Sequence, residues 1–341
     1  MSNDTKTMKN MDELAKLANV SVSTVSRALA GSTLISTKTR ERIAKLAEEH
    51  NFQLNEKARN FRLKKTNMIA VVMMVDIKSG QHISDMFFLQ MLGSLADALT
   101  AQGYDLLLTH IAIEDMPTID RSRAFRQTDG IIFIGQGNQQ EHLNRLADLG
   151  KPMVVWGAEL ENSHYCTVGT NNELGGYLAT KHLLNLGRER IAFFGDINFP
   201  EPQQRYSGYC RALQEKGLPI DKSLQHNVPF DMTHANTEIH DLMQQGLKFD
   251  AAVCSSDLIA IAAIDAFNSY GVKVPDDIAL VGFDDIALAA LTQPPLTTVK
   301  QNITQGGHVI VRKLLAQING DPASDTILKT ELVVRRSSGA W

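Results

Sequence analysis

A chain of 341 residues with 43% hydrophobic and 21% charged side chains can bury two or three cores, which excludes a disordered or low-complexity polypeptide. Its net charge of -4 hides an asymmetry: residues 1–66 hold 13 Lys and Arg against 7 Asp and Glu, the remainder 21 against 31, so a basic end suited to phosphates joins an acidic body. Cys166, Cys210 and Cys254 form no CxxC pair, MSNDTKTMKN has no apolar signal-peptide core, and no run approaches the roughly 20 apolar residues that span a bilayer, so zinc, disulfides, export and membrane contact are not expected, and a reducing cytoplasm is.

From Met11 to Phe52 apolar residues recur at helical spacing in three bursts, Leu14/Ala15/Leu17/Ala18, Val25/Leu29 and Ile43/Leu46/Ala47. The pattern predicts a helix near Met11 to Ala18, a turn at Asn19-Val20-Ser21, a second helix near Val22 to Ala30 and a third after Ser36, which is helix-turn-helix spacing. Ser21 and Ser36 are placed to cap the helices that follow them. With Val25 and Leu29 inward, Val22, Ser23, Ser26 and Arg27 lie outside, where hydroxyls, a methyl-reading valine and a guanidinium suit a major groove. Many three-helix segments share the spacing without binding DNA. The basic stretch Asn55 to Lys65 holds too few apolar residues to fold alone.

From Met68 the texture changes. MIAVVMMV, YDLLLT, GIIFIG, MVVW, RIAFFG, FDAAVC and DIALVGF read as buried parallel strands. Helical patterns lie between them, at Phe88 to Gln102, Glu173 to Leu186, Arg205 to Lys216, Leu258 to Tyr270 and Gly306 to Ile318. Such alternation over about 275 residues predicts two doubly wound parallel sheets side by side, with a ligand cleft at the carboxyl ends of the strands. Trp156, Asp257 and Asp284 follow strands, Asp85 and Phe88 stand where the first helix starts, and Arg205 opens the helix after PEPQQ. Carboxylates, an arginine and aromatic faces are what a sugar needs for its hydroxyls and its C–H surface. Asp257 and Asp284 could equally cap helices, Trp156 could be core, and Arg205 an ordinary ion pair. Gly135-Gln136-Gly137 opens like a dinucleotide fingerprint, but Gln140 stands where its last glycine belongs, and a lone GxG is usually a turn. The ten histidines show no HExxH spacing. No enzyme, cofactor or metal site is expected.

The run VSVSTVSRAL, followed by TKTRERIAKLAEEHNF and NEKARNF, closely resembles the headpiece of the lactose/galactose repressor family of bacterial transcription regulators. The likeness continues in order through DGIIFIG, HLLNLGRERIAFFGD, RYSGYCRAL, SSDLIAIAAIDAF, VPDDIALVGFDD and PPLTTVKQ. It implies a three-helix helix-turn-helix domain over 1–54, a hinge helix and linker over 55–66, and a periplasmic-binding-protein-like body over 67–341. That body would divide into an N-subdomain (about 67–166 and 300–329) and a C-subdomain (about 167–299 and 330–341). It also implies operator contacts from Val22, Ser23, Thr24, Ser26, Arg27, Ser36, Thr39 and Asn55. Ala58 matches the small residue that lets paired hinge helices approach, and Phe61 stands where the family wedges a leucine between base pairs, with Leu63 as the rival. Leu54 replaces a common proline, and Asn10-Met11-Asp12 departs from the usual threonine-led first helix.

In the body, Arg205 and Asp284 match positions where members grip the effector's polar groups, and Trp156 and Phe88 match its apolar wall, while Gly157 stands where some members carry an acid. SDMFF and VVWGAE resemble the branch that responds to glucose or glucosides. The function implied is a cytoplasmic, nucleoid-associated repressor of carbohydrate genes, binding operator DNA as a homodimer and tuned by a sugar in either direction. The absence of a heptad tail after Ser338 favours a dimer over a tetramer. A transport-class binding protein would share the body but would require export and carry no headpiece.

Overall fold

The computed structural model describes residues 10–29, 31–50, 52, 65–75 and 81–340. Two units separate, residues 1–66 and 67–341.

In the first unit α1 (Met11–Leu17) begins under Asn10, whose Oδ1 accepts the Glu13 N–H at 2.9 Å, and the chain turns at Asn19 with φ 48°. Ser21 Oγ accepts the Thr24 N–H at 3.1 Å to start α2 (Val22–Leu29), and Ser36 Oγ accepts the Thr39 N–H at 3.3 Å to start α3 (Thr37–Glu49). Arg42 Nη2 donates to Ala18 O at 3.0 Å, tying α3 to the carboxyl end of α1. The core is Leu14, Ala15, Ala18, Val25, Ala28, Ile43 and Ala47. Two expectations are corrected here. Ala28 rather than Leu29 is the buried partner of Val25, with Leu29 half-buried at the margin, and Leu17 is 47% exposed.

The second unit has two lobes. In the first, β1 (Met68–Val75), β2 (Asp105–Ala112), β3 (Gly130–Ile134), β4 (Met153–Trp156) and β5 (Cys166–Thr170) join β11 (Thr326–Leu328) in an all-parallel sheet of order β11-β5-β4-β3-β1-β2. In the second, β6 (Ile191–Phe194), β7 (Gln225–His226), β8 (Ala251–Cys254), β9 (Ala279–Asp284), β10 (Thr297–Gln301) and β12 (Thr330–Val333) take the order β12-β10-β9-β8-β6-β7, only β12 antiparallel. The unbroken apolar run of β1 follows from burial on both faces. Ile69, Val71 and Met73 enter the core shared with α4 (Met86–Thr100) and α11 (Ile303–Ile318). Ala70, Val72 and Met74 enter the opposite one, with the short α5 (Arg123–Arg126) and α6 (Gln140–Asp148). The second sheet is covered likewise, by α7 (Asn172–Asn185) and α8 (Pro200–Glu215) on one face and by α9 (Met232–Gln244) and α10 (Asp257–Ser269) on the other.

Several expectations shift. YDLLLT forms an edge strand, and β2 is half-exposed because it pairs only with β1. The helix expected from Arg205 begins at Pro200, where the missing N–H costs nothing, so Arg205 lies in its second turn. CTVGT and TTVKQ, short and threonine-rich, are strands the pattern did not reveal. Since β5 lies wholly in the first sheet, the chain first crosses between lobes after Thr170 rather than at 166, and it crosses again after Gln301 and at Lys329. Among the described residues no helix is long and apolar enough to cross a membrane.

Candidate functional site

Parallel strands of both lobes end on one cavity of about 150 Å3. Met74, Gly135, Trp156, Ser256, Asp284 and Gln301 stand at or just beyond the ends of β1, β3, β4, β8, β9 and β10, and all line it. Gly135 and Gly137 have φ of 82° and 49°, so GQG is the left-handed turn that lifts the chain off β3 into the cavity wall. The apolar side is aromatic. Phe87 lies 5.9 Å from Phe88 and 6.3 Å from Trp156 between ring centroids, and it packs against the cores of both lobes. Trp156 owes its pose to Gly306 of α11, where a Cβ would stand 2.4 Å from the indole Cζ3.

The polar side centres on Arg205 and Asp284, both buried. Arg205 Nε donates to Asn172 Oδ1 at 2.9 Å, Nη1 donates to Ser255 O, and the guanidinium stacks 3.7 Å over the Phe283 ring. Asp284 ends β9 with φ 125° and Asp285 follows with φ 57°, a pair of left-handed residues held by the Asp285–Arg335 ion pair at 2.7 Å. Asp284 Oδ1 accepts from Gln301 Nε2 at 2.6 Å, and Gln301 Oε1 accepts the Thr170 hydroxyl at 2.8 Å. The neighbouring Asn171 N–H reaches Thr330 Oγ1 at 3.0 Å. A cavity carboxylate is thereby linked to two of the lobe crossings, and a separate bond ties the third to the first.

Asp257 departs from its expected role. It is wholly buried and does not line the cavity; its carboxylate accepts the Thr298 hydroxyl at 2.5 Å and the Ile286 N–H at 2.9 Å. Nor is it the helix cap, because Ser256 Oγ takes the Ile259 N–H at 3.2 Å. Asp85 does line the cavity, at the start of α4, and makes no capping bond there. The pattern did not single out Gln136, Asn172, Glu201 or Gln301. Gln301 became visible only once TTVKQ was known to be a strand ending at the cavity. Gln136 explains Gly157: a Cβ there would sit 2.8 Å from its Oε1, so the amide fills the space an acid would take.

Burial raises the Asp284 carboxyl to about 6 against the pull of Arg205, and burial raises Asp85 to about 6 against a His82 N–H. Between about pH 4 and pH 6 the folded chain therefore keeps protons that the unfolded chain has released. The stability these groups add is present in acid and lost as pH rises through that window. Urea unfolding at pH 5 and pH 7 should show a shallower fall with rising pH in Asp284→Asn than in the wild type; equal slopes would refute the assignment.

In the first unit Arg27 and Ser23 are exposed, while Thr24 and Ser26 are half-buried. Val22, expected outside, packs against the edge of the core. The hydroxyls of Ser23 and Thr24 lie 2.8 Å from Ser21 Oγ, and those of Ser36 and Thr39 lie 2.9 Å apart, so these groups also organise helix starts. Leu54, Asn55, Ala58, Phe61 and Leu63 lie outside the described residues. No group of three or more His, Cys, Asp or Glu among the described residues could hold a metal ion.

Residues 10–55 match the family described as bacterial regulatory proteins, lacI family, and residues 180–338 match the periplasmic binding protein-like domain. The HTH-type transcriptional regulator AscG of Escherichia coli (strain K12) is 30% identical over 336 residues, covering 97% of this chain and 98% of its own. The transcriptional regulator CelR–cellobiose complex superposes with a TM-score of 0.72 at 26% identity, over 97% of this chain and 100% of that one. The lac repressor dimer bound to operator and the anti-inducer ONPF reaches a TM-score of 0.82 at 22% identity, over 98% and 100%, a likeness of fold.

Proposed function

This chain belongs to the lacI family of bacterial regulatory proteins, and we propose that it represses carbohydrate-utilisation genes under the control of a sugar held between its lobes. It is a DNA-binding transcription regulator and not an enzyme, as its relatives are. Two copies read two half-sites through α2, with Val22, Ser23, Thr24, Ser26 and Arg27 toward the groove and Ser36 and Thr39 near phosphates. In this reading the segment from Asn55 meets the central minor groove, with Ala58 where the two copies approach and Phe61, or its rival Leu63, as the wedge. It works on the nucleoid in the cytoplasm.

The observation that carries the effector half of this reading is the cavity itself, with Arg205 and Asp284 on one side and Trp156 and Phe88 on the other. A pyranose offers hydroxyls to the first pair and a C–H face to the second. Asp85 joins the polar set, and Asp257 acts from beneath by holding Ile286 and Thr298. Because both lobes supply the walls, an occupant binds two lobe angles with different free energies, and a coupling of about 1–3 kcal/mol between sugar and DNA is the usual scale. Glucose and glucosides are the first candidates.

The test is an anisotropy titration of full-length protein on a duplex selected from a random pool, with and without saturating glucose, cellobiose or other neutral sugars. A change in affinity of about fivefold or more with one of them is expected. Constant affinity across the panel would sink the sugar control. Binding no tighter than to bulk DNA would sink the operator reading.

A further inference from the structure

We propose that the cleft admits only sugars that carry no phosphate or carboxylate, because four of the chain's own carboxylates line it beside the helix ends where an anion would otherwise bind. This rests on the reading of the cleft as a sugar site.

Four helices begin at the cavity wall: α4 after Asp85, α7 at Asn172, α8 with Glu201 in its first turn, and α10 after Ser256. Such amino ends, with free N–H groups and the positive end of the helix dipole, are the ordinary seat of a phosphate in an α/β body. At α7, α8 and α10 side chains already take free N–H groups, and at α7 Asn171 Oδ1 accepts that of Leu174 at 2.9 Å. The Glu201 carboxylate accepts its own N–H and that of Ala158. The first N–H of α10, from Asp257, goes to the Asp284 carboxylate, and the Ile259 N–H goes to Ser256 Oγ. Asp85 stands at the capping position of α4 without making a capping bond, and its carboxylate lines the cavity beside that end.

With Asp196, four acids line the cavity, and Arg205 is the one cation among its described lining residues. That cation is largely committed, since two of its three nitrogens serve Asn172 and Ser255 and its charge faces Asp284 and Glu201. A phosphate or uronate would thus enter a half-enclosed site against like charges and find no paired cation to receive it. A neutral polyol meets the opposite case, because its hydroxyls are donors and the wall is rich in carboxylate and amide acceptors.

Calorimetric titration of the full-length protein with matched ligands tests this: glucose against glucose 6-phosphate and glucuronate, ribose against ribose 5-phosphate, and cellobiose as a larger neutral sugar. A neutral sugar should bind, and a charged counterpart at least about tenfold more weakly, the order of one like charge poorly screened. In Asp85→Asn or Glu201→Gln that gap should narrow. A charged member binding as well as its neutral partner would overturn the inference and leave the sugar-controlled regulator standing, as would a gap unchanged in both variants. Failure of every sugar, charged or neutral, would overturn both.

Discussion

Replacing Arg205 with alanine should lower the stability of the two-lobed body by about 3–5 kcal/mol, the scale on which a buried charge left without its partner destabilises a fold. The side chain is 5% exposed and lies between Asn172, Ser255 and the Phe283 ring. Its charge opposes the rise that burial imposes on the Asp284 and Glu201 carboxyls. Without it, Asp284 faces Asp257 with no cation to offset their mutual repulsion, and Ser255 O loses its donor. Those acids can shed the repulsion by holding protons, so the deficit should be largest near pH 8 and shrink near pH 5. Urea unfolding followed by circular dichroism at both pH values would measure it. A loss under about 1 kcal/mol at pH 8, the worth of a surface ion pair, would show that the guanidinium is not the counter-charge. One consequence follows for the effector: Arg205→Ala will lose sugar binding together with stability, whereas Asp284→Asn keeps the shape of the site and is the cleaner probe of recognition.

Arg27→Ala should weaken binding to the preferred duplex by about 1–3 kcal/mol, roughly tenfold to a hundredfold, and leave sugar binding and the folding of the headpiece nearly unchanged. Arg27 is exposed in the last turn of α2, outside the cluster of Leu14, Val25, Ala28 and Ile43 that holds the three helices together. Removing it therefore empties no core space. The groove-side partner it would leave is a guanine edge or a phosphate, and the two separate experimentally. Loss of a guanine contact relaxes preference at one base pair, whereas loss of a phosphate contact weakens all duplexes alike and flattens the salt dependence. Anisotropy titrations on the selected duplex, on single-base variants and at two salt concentrations would distinguish them. Undiminished affinity for the selected duplex would remove Arg27 from the interface.

Interactions within a few residues were readable from the chain. Ser21 and Ser36 cap their helices because a hydroxyl can reach an N–H three residues on, and the continuous apolar run of β1 signals a strand covered on both faces. Arg205, Asp284, Trp156, Phe88 and Asp85 line one cavity because all lie at or near strand or helix ends at the carboxyl edges of the two sheets. The family likeness pointed to most of them.

What lay beyond reach depends on partners far apart in sequence. Asp257 and Asp284 look alike as acids next to apolar strands, and only the arrival of Thr298 and Ile286 beneath Asp257 turns one into a structural acceptor while the other faces the cavity. Thr170, Gln301 and Asp284 form a single hydrogen-bonded chain because the polypeptide crosses between lobes three times, bringing strand ends from separate segments to one point. Periodicity reports which side of an element is buried and cannot report against what. Topology supplies the partner, and in this body the partner decides whether a buried carboxylate holds the fold or meets the ligand.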